Sequence, residues 1–211
     1  MSLTRVKNIT ADTVISTTTQ NQLRIENTAA NSLGSYMKIR DGNSTAGQHT
    51  WIGRSTHDTY IYSNNNDLGM KITNAGQITM PNQPSFEAWK SNGAVAPGGT
   101  MIFNGTDHNI GNMYNTSNGR GTVTVPGRYV VSVFVMNENN AAYVNRYYKI
   151  QKNGTAHKHV YNSNPNVTHH HWNFFGILEL AANDYIDIVS DGVGIYGNDK
   201  KYTTFCMHLL S

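Results

Sequence analysis

The chain has 211 residues, enough for one or two domains with a real core, and carries a net charge of only +3 with 14% charged residues. Its sixteen Lys and Arg are scattered, with Lys200-Lys201 the only adjacent pair, which argues against the concentrated basic face of a nucleic-acid binder. The lone Cys206 has no intrachain partner and leaves the redox compartment open, while no apolar run approaches the ~20 residues of a membrane span and residues 1–20 lack a signal-peptide core, so a soluble protein made in a cytoplasm is expected.

The 27 Asn and 19 Gly supply turns, and Thr, Val, Ile and Tyr supply strands. No window keeps a helical period over apolar residues, so the expected class is all-β. Residues 1–20 are polar and Thr-rich around Thr13-Val14-Ile15, as befits an arm that is flexible or ordered only on a partner. Residues 21–82 break into very short runs: QLRIE at 22–26, YMKIR at 36–40, HTWIGR at 49–54, TYIYS at 59–63, MKIT at 70–73 and QITM at 77–80. Strands of this length cannot enclose a core from one copy, whereas several copies wrapped together can, as a short intertwined trimeric β shaft. Residues 70–80, MKITNAGQITM, resemble the shaft and neck segments of bacteriophage tail fibres, which are trimeric.

Pro81 and Pro84 mark the expected boundary, with a head at 83–211. Strands are predicted there at 86–90, 99–104, 121–125, 127–136, 144–151, 156–162, 168–180, 185–190 and 202–210, a spacing that suits a sandwich or jelly roll. Asn153-Gly154 is a hairpin signal, and Pro126-Gly127 is a turn between two apolar runs. Two strands are apolar on both sides. In 127–136, Tyr129, Val131, Val133 and Val135 alternate with Val130, Phe134 and Met136; in 168–180, Trp172, Phe174, Leu178 and Leu180 alternate with Phe175 and Ile177. A sandwich strand needs one buried face, so the second points to neighbouring subunits. Val131, Val133, Phe134, Phe175 and Ile177 are the candidate trimer contacts, with the sequence silent on which face is which.

Pro84-Ser85-Phe86-Glu87-Ala88, Met101-Ile102-Phe103-Asn104, residues 121–129 (GTVTVPGRY), Leu178-Glu179-Leu180 with Asn183-Asp184, and residues 202–210 (YTTFCMHLL) together resemble segments of the complement C1q globular domain, one of the tumour-necrosis-factor-like jelly rolls. The resemblance implies a tight trimer. The absence of a collagen-like Gly-X-Y stretch sets the chain apart from secreted animal relatives and favours a viral fibre.

Among chemical sites, His157, His159, His169 and His171 are candidate metal ligands. Each pair shares a strand face, and a hairpin through 162–166 would bring the pairs together; the plainer reading is polar strand residues. No G-x-S-x-G, H-E-x-x-H or phosphate loop occurs, so no catalytic residue and no cofactor is expected, and Asp184, Asp187 and Asp191 read as turn residues. Loop Asn and Tyr residues suit saccharides, because amides bond hydroxyls and rings stack on sugar faces; Asn140, Tyr143, Tyr196 and Asn198 are the candidates. The sequence therefore points to a homotrimeric phage fibre or spike attached to the particle through residues 1–20, made in the host cytoplasm and resident in the virion. Its head would bind a host-surface glycan or protein, without nucleic acid or membrane insertion. The alternatives are a capsid decoration or head-fibre protein at a threefold site and, more remotely, a metal-dependent enzyme.

Overall fold

A computed structural model of the chain describes residues 13–17, 23–27, 35–39, 50–55, 57–63, 67–90, 98–137, 146–162, 171–190, 195–196 and 201–211. Every regular element among them is a β-strand, as the composition predicts. The chain divides into two compact units, Met1–Asn82 and Gln83–Ser211.

In the first unit, β1 (Thr13–Thr17) pairs antiparallel with β2 (Leu23–Asn27), so part of the arm expected at 1–20 is laddered to the segment that follows it. A meander then runs through β3 (Ser35–Ile39), β4 (Thr50–Ser55), β5 (Asp58–Ser63), β6 (Asp67–Ile72) and β7 (Ile78–Thr79), each strand pairing antiparallel with the next. The T-N-A-G-Q segment closes the last hairpin. Gly76 takes a φ of 79°, its N–H donates to Thr73 O at 2.9 Å, and the Gln77 N–H donates to Thr73 Oγ1 at 3.1 Å. Asp58 ties this turn to the sheet, accepting from the Asn74 N–H at 3.0 Å and pairing with Lys71 Nζ at 2.7 Å; the Lys71 hydrogen bond is the main reason its carboxyl titrates below the usual range. Among the described side chains of this unit, none is buried.

The second unit contains β8 (Ser85–Trp89), β9 (Gly105–Ile110), β10 (Tyr114–Asn115), β11 (Arg120–Thr122), β12 (Gly127–Met136), β13 (Arg146–Lys152), β14 (Thr155–Asn162), β15 (His171–Leu180), β16 (Tyr185–Ser190) and β17 (Thr204–Leu209). They form two five-stranded sheets, β10-β11-β16-β13-β14 (sheet I) and β15-β12-β17-β8-β9 (sheet II), in a jelly-roll sandwich. The inner faces meet in one core. Sheet II contributes Phe86, Tyr129, Val131, Val133, Val135, Phe205 and Met207, while Tyr148, Ile150, Ile186 and Ile188 come from sheet I. Phe205 is fully buried against Phe86 (4.9 Å, edge-on), Phe103 (5.7 Å) and Tyr114 (6.0 Å). The Tyr129 hydroxyl donates to Val125 O at 2.7 Å, anchoring the chain as it enters β12.

The Asn-Gly hairpin forms as expected: Asn153 (φ 53°) and Gly154 (φ 75°) join β13 to β14. At Pro126-Gly127 the chain changes sheets, since β11 pairs with β16 and β12 with β15 and β17. Two other readings are corrected. β14 and β15 are not a hairpin, because they are edges of opposite sheets. The strand expected at 99–104 is irregular backbone. It makes a single bridge, Thr100 to Val189, and its Met101 and Phe103 are buried, their N–H groups donating to Ile188 O (2.7 Å) and the Tyr114 hydroxyl (2.9 Å). The ladder with β8 is made instead by the polar segment of β9, where the Trp89 indole covers Gly105 so closely that a Cβ would collide with the ring.

Candidate functional site

The period-2 alternation of β12 sends Tyr129, Val131, Val133 and Val135 inward, where all four are buried in one copy's core. Val131 and Val133 are thus withdrawn as trimer contacts: their partners lie across the same sandwich. Val130, Ser132 and Phe134 turn outward and are half-buried. On β15 the same rule buries Trp172, Leu178 and Leu180 and leaves Phe175 74% and Ile177 57% exposed. The register sets Ile177 opposite Val130 and Phe175 opposite Ser132, so the four apolar side chains Phe134, Phe175, Val130 and Ile177 share the outer face of sheet II. Singly exposed apolar residues are ordinary; two large ones at alternate positions beside two more make a patch that water does not favour.

The same face continues across β17 to β8, with Cys206 opposite both Ser132 and Glu87. Burial first, and the nearby Glu87 carboxylate second, push the Cys206 thiol up to about 11. It is protonated at neutral pH and behaves as a small apolar side chain rather than a nucleophile.

Of the four saccharide candidates, Tyr196 lies within the described residues. Tyr196 is half-buried and held at both backbone groups: its N–H donates to Met136 O at 2.8 Å and its carbonyl accepts from Thr203 Oγ1 at 2.8 Å. Its ring meets Tyr202 edge-on at 5.5 Å. Beside it, buried Asn137 bridges to Ile195 and accepts a hydrogen bond from the Tyr148 hydroxyl. Asn140, Tyr143 and Asn198 lie outside the described residues, as does His169.

The described histidines of this set are divided between the two sheets. His159 is exposed on sheet I and stacks on Tyr147 (4.8 Å), which also stacks on Tyr161 (5.4 Å). His171 starts β15 in sheet II and stacks on Phe134 (5.5 Å). With β14 and β15 in opposite sheets, the hairpin that was to unite His157 and His159 with His171 does not form. Among the described residues no group of three His, Cys, Asp or Glu is placed to hold a metal ion. The ring row His159, Tyr147 and Tyr161 was not anticipated. Its signal was present, as alternate-position rings on the two strands joined by Asn153-Gly154.

Asp184 does serve a turn, accepting from the Ala181 N–H (2.8 Å) and Asn153 Nδ2 (2.7 Å) and pairing with Lys152 Nζ (2.8 Å). These partners, Lys152 foremost, hold its carboxyl at about 2. Asp187, expected in a turn, is instead buried within β16 with Arg120 Nε at 3.9 Å; burial raises its pKa and the Arg120 charge opposes the rise. Asp191 is outside the described residues.

The family model for the C1q domain matches residues 85–210. In three dimensions the chain is similar to the globular domain of zebrafish complement 1qA, with 14% identity and a TM-score of 0.50, over 61% of this chain and 98% of that one. It is likewise similar to Eiger TNF from S. frugiperda, with 10% identity and a TM-score of 0.52, over 61% of this chain and 93% of that one. At these identities the two structures speak for the fold alone. No curated protein matches the chain significantly. The order of the two sheets, the motifs that surround Phe86, Tyr129 and Phe205, and a family match over more than half the sequence agree: the chain belongs to the C1q domain family.

Proposed function

We propose that this chain is a homotrimeric fibre or spike protein of a bacteriophage virion, whose C1q domain binds a ligand on the host surface, a glycan in the first instance. C1q and tumour-necrosis-factor-like domains form homotrimers and bind ligands or receptors, and they are typically not enzymes. The observation that carries the homotrimer for this chain is the exposed Phe175 and Ile177 beside Val130 and Phe134, a face that a second and third copy would cover. The virion assignment is supported by the sequence: the MKITNAGQITM style of residues 70–80, the polar arm at 1–20 as attachment segment, and a first unit of short strands that suits a shaft. Glycan binding is supported by the Tyr196 and Tyr202 rings beside Asn137 and, in the sequence, by the further candidates Asn140, Tyr143 and Asn198.

Light scattering of the purified chain tests the oligomer, with three times 23.4 kDa expected and a 23.4 kDa species refuting it. Immunogold labelling of phage particles from an infected host tests the place. Label on the tail supports a fibre, label at threefold capsid positions reassigns the chain as a decoration protein, and unlabelled particles refute the virion reading.

A further inference from the structure

The meander of the first unit has two unlike faces. Its register places Met37 opposite Ile52, Ile52 opposite Ile61, and Ile61 opposite Met70, an aliphatic row that crosses four strands on one face. A second row on that face runs Thr59, Ile72, Ile78. Exposed Arg54 and Asp67 belong to the same face but lie at its margins, leaving the middle without charge. The opposite face carries Trp51, Tyr60, Tyr62 and Lys71, and it covers itself: Tyr60 stacks on Tyr62 at 5.8 Å, Lys71 Nζ lies 5.5 Å from the Tyr60 ring, and Lys71 pairs with Asp58. Among the described residues nothing comparable covers the aliphatic rows. Met37 is 39% and Ile78 59% exposed, and Ile52, Ile61, Met70 and Ile72 are only half-buried. A single sheet cannot exclude water from an apolar face; a second layer has to do so.

We propose that the layer is supplied by two further copies of the same sheet, so that three meanders pack through their Met37–Ile52–Ile61–Met70 rows around one apolar axis. This rests on the homotrimer proposed above and adds to it a second, separate contact with a stated face. The strands remain paired within their own chain, so the shaft is a prism of three separate sheets rather than an exchange of strands. Three observations favour a copy as the occupant. First, β7 ends at Thr79 and β8 begins at Ser85, and a five-residue connection spans at most roughly 17 Å, so trimeric heads would hold three sheets at high effective concentration. Second, four strands about 4.8 Å apart and about 17 Å long present a face of roughly 300 Å² in each copy, so three copies would bury on the order of 1,000 Å² in all, about 300 Å² per pair, an area suited to a tethered contact rather than a free-standing one. Third, a face apolar in the middle with Arg54 and Asp67 at its margins offers no central charge to repel its own image.

The test is disulfide trapping in the full chain. In Ile61→Cys, mild oxidation should link about two-thirds of the chains through bonds between the introduced thiols, identified by peptide mass, because three thiols at one axis make one disulfide. Tyr62→Cys, one residue along and on the other face, should give no such link, and Ile52→Cys should repeat the first result. A chain trimeric by mass in which neither Ile61→Cys nor Ile52→Cys forms the link, because a ligand, another protein or solvent occupies the face, overturns this inference and leaves the head trimer standing. A chain monomeric by mass overturns both.

Discussion

Replacing Phe175 with Thr separates the covered face from the bare one. The ring is 74% exposed in a single copy, so in a monomer its loss should change stability by no more than about 0.5 kcal/mol, Thr being a good strand residue. In a trimer the outcome differs. A Phe side chain buries about 150–250 Å², three quarters of Phe175 is available to a neighbour, and Thr would retain part of that contact, so roughly 100 Å² is lost per copy. At about 25 cal/mol/Å² this is ~2.5 kcal/mol per copy and ~7.5 kcal/mol per trimer. The dissociation constant of a trimer is cubic in monomer over linear in trimer, so the half-dissociation concentration moves with its square root, rising several hundredfold at ~1.4 kcal/mol per decade. Sedimentation equilibrium across a dilution series reads this directly, with denaturant unfolding of the dissociated chain as the companion measurement. A Phe175→Thr trimer that dissociates at the wild-type concentration would refute the placing of this face at the subunit contact.

Phe205→Ala should cost about 3–5 kcal/mol of unfolding free energy, since the ring is fully buried between Phe86, Phe103 and Tyr114; a midpoint in urea within error of wild type would count against the core described above. Asp184, held at about 2 by Lys152, Asn153 and the Ala181 N–H, has a folded pKa below its unfolded value. Its contribution is therefore present above about pH 4 and lost as pH falls towards about 2. Thermal melts of wild type and Asp184→Asn should accordingly differ at pH 6 and converge near pH 2, a constant difference being the contrary result.

Much of the head was legible in the sequence because period-2 alternation and Asn-Gly chemistry are local. β12, β15 and the hairpin at Asn153-Gly154 follow from residues that touch their neighbours in the chain. What failed was of another kind. Alternation shows that Val131 and Phe134 face opposite ways, yet only the second sheet decides which way is inward. The apolar residues of 99–104 signalled burial and were read as a ladder, whereas the ladder beside β8 belongs to polar β9, an edge strand with no hydrophobic pattern to announce it. A turn signal says that the chain reverses and is mute about whether it returns in the same sheet, which is why a hairpin of β14 and β15 could be expected although the two strands belong to opposite sheets.

The place of β17 in sheet II governs when the head can be made. It lies between β12 and β8, hydrogen-bonded to both, although it follows both in the sequence by a long stretch. During synthesis β8 and β12 cannot be joined until residues 204–209 have left the ribosome, so sheet II closes late relative to its other strands, through pairings of high contact order. The meander of the first unit joins only sequence neighbours and is free of that delay. Growth from the amino terminus would thus complete the meander before sheet II, with the greasy rows of β12 and β15 uncovered in the interval.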